Sequence, residues 1–181
     1  MKEKIILDKE KDFEEVGISY HYYKLTEENN VMNIYYTSGC KEYLEKYLEI
    51  DVHFHFSMAK VPEIVKVMTE CFYTCNPWKN IWGTSVDLDD SGIGFSMDFD
   101  ERLQRMQRFT IIQSNDKDIG EEGVIFETVH LEWEDADPVY ADDKKRKMPK
   151  GLAVLIKGIK DYYNAWQKEH PEYERIMTTR K

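Results

Sequence analysis

The sharpest periodicity lies near the end of the chain. Leu152, Leu155, Ile156, Ile159, Tyr162, Tyr163 and Trp166 recur at three- and four-residue intervals, which on a helix of about 3.6 residues per turn gathers them on one face. Pro149 precedes this run and Pro171 follows it, so a long amphipathic helix is predicted between them. Its apolar face needs a cover, and the face of a sheet is the natural one. A shorter helix is predicted where Val61, Ile64, Val65, Met68 and Phe72 form a stripe. Pro62 suits its first turn, and Asn76-Pro77 stops it at about Cys75.

Elsewhere the period is two. Ile18, Tyr20 and Tyr22 alternate with Ser19, His21 and Tyr23, and Glu27–Asn30 reads as a turn before a second strand, Val31–Thr37. Leu44, Leu48, Ile50, Val52, Phe54, Phe56 and Met58 alternate with only Lys46 interrupting, which predicts a strand from Tyr43 to Ser57. Tyr43, Leu44, Tyr47 and Leu48 also fit a helical spacing. Strands follow over Trp82–Leu88, Ile93–Phe99, Gln107–Gln113 and Val124–Trp133. Asp89–Gly92, a charged stretch around Glu101–Arg105, and Asn115–Gly123 separate them. The first fifteen residues are charged around three apolar positions and are expected to fray or form a short helix. With 181 residues and neither repeat nor linker, one domain is expected, with residues 1–15 and 169–181 peripheral. The fold class is α+β: a meandering antiparallel sheet, one or two short helices after an early strand, and a long C-terminal helix packed on the sheet.

Charge narrows the function. Lys and Arg total 25 against 35 Asp and Glu, a net charge of −10, so the field of the chain opposes a phosphate backbone and a nucleic-acid partner is not expected. Mean hydropathy is −0.66, and no apolar run approaches the roughly 20 residues that cross a bilayer. The opening residues do not read as a signal peptide. Three cysteines without a CxxC pair, Cys40, Cys71 and Cys75, fit a reducing compartment and a cytoplasmic protein. Four Trp, twelve Tyr and eight Phe supply either a solid core or the lining of a cavity, and composition does not choose.

Several stretches together resemble one known group. Val52–Phe56 leads into Val61–Glu70 and then into Asn76-Pro77-Trp78-Lys79-Asn80-Ile81-Trp82. Ser85–Leu88 with Gly92–Phe99 makes a hairpin, Arg105–Ile112 a strand led by an arginine, and Pro149–Trp166 a closing helix. Over roughly residues 15 to 168 this order resembles the START-related helix-grip superfamily. In that superfamily a curved antiparallel sheet wraps around a long C-terminal helix and encloses a lipid-sized tunnel. No acidic residue follows Arg105 or Arg108, so the family's strand arginine maps onto either.

The resemblance implies binding, and intracellular transfer, of a lipid or other hydrophobic ligand in an internal cavity, with no catalysis and no cofactor. It implies a ligand site built from Phe54, Phe56, Glu70, Trp82, Phe95, Met97, Arg105, Arg108, Ile159, Tyr162, Tyr163 and Trp166. Glu70 and one of the arginines would pair inside or at the mouth of the cavity, since a buried charge needs a partner. The basic block Lys144, Lys145, Arg146 and Lys147 would then touch anionic membranes, at about 1 kcal/mol per residue. Read alone, that block is a solvated loop balancing the acidic Glu132–Asp143 before it.

Other constellations are weaker. His53 and His55 form an H-x-H whose imidazoles stand about 7 Å apart on one strand face. That is zinc-ligand spacing, with His21 or His130 as a third donor, but Phe54 and Phe56 claim the inward face. Asp87–Gly92 with Asp98 partly matches a calcium loop, yet it reads better as a hairpin turn. Cys71 and Cys75 share a helix face with no base beside them. Two rival functions stay open. One is a cavity enzyme of the same fold, cyclase- or hydrolase-like, using Glu70, Asp98 or a histidine. The other is a protein-interaction module anchored on Trp78 and Trp82.

Overall fold

The computed structural model describes residues 3–11, 18–39, 52–74, 83–88, 91–100, 105–118, 124–140, 148 and 150–177. Strands β1 (Glu3–Lys11), β2 (Ile18–Glu28), β3 (Val31–Gly39) and β4 (Val52–Ser57) lead through a 3-10 turn at Met58–Lys60 into helix α1 (Val61–Thr74). Strands β5 (Gly83–Leu88), β6 (Ser91–Asp100), β7 (Arg105–Asp118) and β8 (Val124–Tyr140) follow, then helix α2 (Lys150–Gln167). The class is α+β, as the periodicity predicts. Instead of one sheet, the strands form two four-stranded antiparallel meanders, β1-β2-β3-β4 and β5-β6-β7-β8. Helix α1 stands between them in the chain, and among the described residues no ladder joins them. The chain falls into two compact units, residues 1–62 with 153–181, and residues 63–152.

The first unit is set by one turn. Asn29 and Asn30 both have positive φ, 55° and 62°, and Glu28 pairs directly with Val31. That is the two-residue primed turn whose twist matches a hairpin, and asparagine tolerates its left-handed conformation better than most residues do. The Glu27 carboxylate accepts the Asn30 N–H at 2.8 Å, and the Asn30 carbonyl accepts the Met58 N–H at 2.7 Å. The register that follows pairs Tyr23 with Tyr36 and Leu25 with Ile34, then Ile34 with Phe54 and Met32 with Phe56. These share a face, and Tyr23, Leu25, Met32, Ile34, Phe54 and Phe56 are all buried. The buried side of β2 is thus the one carrying Tyr23, while Tyr22 on the other side is only half-buried.

Strand β1 corrects the expectation of a frayed or helical start: Lys4 pairs with Leu25 and Ile6 with Tyr23. Charges that read as solvation in the sequence sit on an edge strand, where they deter pairing with other chains. The predicted strand Tyr43–Ser57 is present in its second half, and residues 43–51 lie outside the described residues.

Helix α2 buries all seven of its predicted apolar positions. In this unit it lies close to β1 and β2. A side chain at Gly158 would run into the Ile6 side chain and come within 3.8 Å of Leu25 Cδ1. The Asp161 carboxylate accepts from Lys157 Nζ at 2.6 Å and lies 3.4 Å from Lys4 Nζ. The Lys157 hydrogen bond, before the Lys4 charge, holds the Asp161 carboxyl below its ordinary pKa. Both pairs are well exposed, so each adds at most about 1 kcal/mol.

In the second unit Leu88 pairs with Ser91, closing the β5–β6 hairpin where a turn is predicted. Val86, Ile93, Phe95, Phe109 and Ile111 are buried, and register places them on one face with Gln113. Helix α1 buries Ile64, Val65, Met68, Cys71 and Phe72. The Phe72 and Phe109 rings meet edge-on at 5.8 Å, and the Cys71 thiol donates to the Phe95 carbonyl at 3.4 Å, so that cysteine is a core residue. Strands β7 and β8 run longer than predicted. Their pairing shifts between Met106 and Arg108, and β8 continues through Pro138. Proline's missing N–H is tolerated there because β8 is a sheet edge.

Candidate functional site

The best-defined candidate surface is the inner face of the first sheet together with α2. Phe54 and Phe56 come from β4, Tyr23 and Leu25 from β2, Met32 and Ile34 from β3, all buried. From α2, Ile159, Tyr162, Tyr163 and Trp166 are buried as well. A polar pair stands at one margin of that sheet face, where His21 Nδ1 and Tyr36 Oη are 2.7 Å apart. Their rings are stacked at 5.9 Å, and Tyr36 lies 5.2 Å from the Tyr23 ring. Burial, and then the Glu27 carboxylate, pushes the Tyr162 phenol above its ordinary pKa, while a hydrogen bond with the Glu27 main chain opposes the shift. Burial likewise raises Tyr163, whose hydroxyl donates to the Glu174 carbonyl at 2.8 Å.

Of the predicted site residues, Phe54, Phe56, Ile159, Tyr162, Tyr163 and Trp166 fall together in the first unit. Phe95 is buried in the second unit on β6. Met97 on β6 and Arg105 and Arg108 on β7 have strand positions, and their side chains lie outside the described residues. So do Trp82, Trp78 and the block Lys144, Lys145, Arg146 and Lys147 in full. The Glu70 side chain is 60% exposed and lies 4.0 Å from Lys66, one turn back on α1. The apolar stripe turns Ile64, Met68 and Phe72 inward, which leaves position 70 facing solvent. It is not a buried acid.

The H-x-H pair faces the other way. His53 stacks on Tyr35 at 4.4 Å, lies 5.4 Å from the His55 ring, and meets Asn33 Oδ1 at 2.9 Å. Register puts His21 on the opposite face of the sheet, so His21 does not complete a zinc site with them. Among the described residues no group of three His, Cys, Asp or Glu could hold a metal ion.

This outer face makes stability pH-dependent. Burial first, and the neighbouring His55 second, lower the His53 pKa, so the unfolded chain holds that proton more tightly than the folded one. The contribution is complete above the ordinary histidine value of about 6.5 and is lost as pH falls through that value toward the lowered one. His53→Gln keeps a donor toward Asn33 and removes the titration. Its melting temperature is expected to fall less than the wild type's between about pH 7.5 and about pH 5.5. Equal falls in the two proteins would refute the assignment.

The His21–Tyr36 pair was not foreseen, although the sequence carries a signal for it. An Asn-Asn turn fixes the hairpin register, and His21 and Tyr36 are then diagonal neighbours.

No family model matches the chain, and no curated protein matches it either. Among the described residues no helix is long and apolar enough to cross a membrane.

Proposed function

We propose that the chain binds a lipid or other hydrophobic molecule against the inner face of the β1–β4 sheet, beneath α2, and carries it through the cytoplasm without chemical change. One observation carries this reading: the aromatic and sulfur side chains Tyr23, Met32, Phe54, Phe56 and Tyr162 are concentrated on that face and that helix. Such side chains line apolar ligand sites well, and methionine adapts to irregular shapes. The His21–Tyr36 pair at 2.7 Å supplies a polar group at the margin, the kind that orients one end of a mostly apolar ligand. With the function goes the helix-grip reading of the architecture, in which curved sheet grips the terminal helix. With it also goes transient contact with anionic membranes through Lys144, Lys145, Arg146 and Lys147.

Native mass spectrometry of the purified protein, with solvent extraction of whatever it carries, tests the reading. A stoichiometric apolar molecule that leaves on denaturation is expected. A clean apo mass, with no uptake from a mixed lipid extract, would overturn it and return the aromatics to the status of plain core.

A further inference from the structure

The chain does not end where α2 ends. Pro171 prevents the helix from continuing, and the Tyr173 N–H bonds back to the His170 carbonyl at 3.1 Å. Residues 173–176 then run back along the helix they have just left. Three helix side chains meet them. Gln167 Nε2 donates to the Tyr173 carbonyl at 2.9 Å, and Tyr163 Oη donates to the Glu174 carbonyl at 2.8 Å. Asn164 makes two bonds to a single residue: Nδ2 donates to the Ile176 carbonyl and Oδ1 accepts the Ile176 N–H, each at 3.0 Å.

Every one of these bonds goes to main chain. The side chains of Glu172, Glu174, Arg175 and Met177 are exposed and take no part in them. A side-chain amide that satisfies both the N–H and the C=O of one residue does what a neighbouring strand does in a ladder. The aromatic contribution is local. Trp166 is stacked by His170 at 4.0 Å and touched by Tyr173 at 5.0 Å, which together cover its ring.

We infer that Tyr163, Asn164, Trp166 and Gln167 form a receptor for an extended peptide main chain, and that residues 173–176 are its tethered, exchangeable occupant. A free segment that competes for this surface needs an extended backbone and an aromatic where Tyr173 sits. The positions of Glu174 and Arg175 are expected to tolerate change, because both side chains are exposed and the hydrogen bonds here go to main chain. The tether sets the threshold, since a segment joined by a short connection has an effective concentration of about millimolar. The intact chain is therefore closed to weak competitors. Tyr163 and Trp166 also belong to the candidate ligand surface, but the inference does not rest on the ligand reading, because its hydrogen bonds all go to the main chain of residues 173–176.

The experiment uses the full chain and a labelled synthetic peptide of residues 168–177, followed by fluorescence anisotropy. Tyr173→Gly weakens the tethered occupant and leaves the receptor side chains in place. This variant is expected to bind the free peptide at least about tenfold more tightly than the wild type does. Adding Asn164→Ala to it removes two hydrogen bonds and is expected to weaken peptide binding by about tenfold. Peptides with Ala at the Glu174 and Arg175 positions are expected to bind unchanged. Equal binding to wild type and Tyr173→Gly, indifference to Asn164→Ala, or loss of binding in the Glu174 and Arg175 peptides would each overturn the inference. Hydrogen exchange gives a reading free of any refolding concern. The Ile176 amide of the wild type is expected to be protected, and to exchange about tenfold faster in Asn164→Ala while the α2 amides keep their protection. An Ile176 amide already unprotected in the wild type overturns it too.

Discussion

Replacing Phe72 with alanine is expected to lower the unfolding free energy by about 3–5 kcal/mol, while the same change at its neighbour Tyr73 costs under about 0.5 kcal/mol. Phe72 is fully buried on the inward stripe of α1, and Tyr73 is 52% exposed. Removing the Phe72 ring opens a cavity against Phe109, the ring it meets edge-on at 5.8 Å. The neighbouring β6 backbone is tied to α1 through the Cys71–Phe95 hydrogen bond, which limits how far the site can collapse to fill the space. Urea denaturation measures both variants. The midpoint is expected to shift strongly for Phe72→Ala and hardly at all for Tyr73→Ala, with unchanged slopes. Similar shifts would mean that the stripe is misassigned by one residue. A double-mutant cycle with Phe109→Ala adds a second check, because an edge-on ring pair couples by about 0.5–1.5 kcal/mol beyond its buried area.

The contrast between Phe72 and Tyr73 also shows which parts of this fold a sequence displays. A stripe at helical spacing states its own inward direction, and both helices were legible to within a residue or two at the ends that are described. The β2–β3 turn was legible because two adjacent asparagines relieve a backbone that most residues resist. The inward face of β4 was legible from Phe54 and Phe56.

What was not legible depends on partners far away in the chain. Ile5, Ile6 and Leu7 are consecutive, so β1 has no clean alternation. Its charges look the same whether they solvate a coil or guard a sheet edge. The division into two sheets follows from which strands find ladder partners, and no single strand's pattern contains that information. Glu70 entered the expected site through the resemblance, and its position relative to Met68 and Phe72 puts it on the exposed side of the stripe. The segment after Pro171 looked peripheral because its side chains are mostly polar. Its order comes from its main chain, which helix side chains satisfy, and main-chain bonding leaves no hydrophobic pattern to read.

The same dependence on distant partners governs the second large effect. Gly158→Val is expected to cost about 2–3 kcal/mol. In an exposed helix the change would run the other way, since glycine is the poorer helix former by several tenths of a kcal/mol. Here the helix face at position 158 is buried, and a Cβ would strike the Ile6 side chain and come within 3.8 Å of Leu25 Cδ1. Two more methyl groups on a β-branched residue have few rotamers in which to avoid them, so the end of the Ile6 side chain must turn aside or the helix must lift from the sheet. Shortening the obstacle relieves the conflict. Ile6→Ala combined with Gly158→Val is expected to be more stable than the sum of the two single changes by about 1–2 kcal/mol, within the range measured for residues in contact. Thermal or urea unfolding of the four proteins in the cycle gives this coupling directly. Strict additivity would mean that β1 does not lie against α2, and the edge strand that the sequence concealed would lose its place in the sheet. A positive coupling ties the charged N-terminal strand to the one helix that the sequence displayed most plainly. The glycine leaves the room at this point of α2 that the Ile6 side chain occupies.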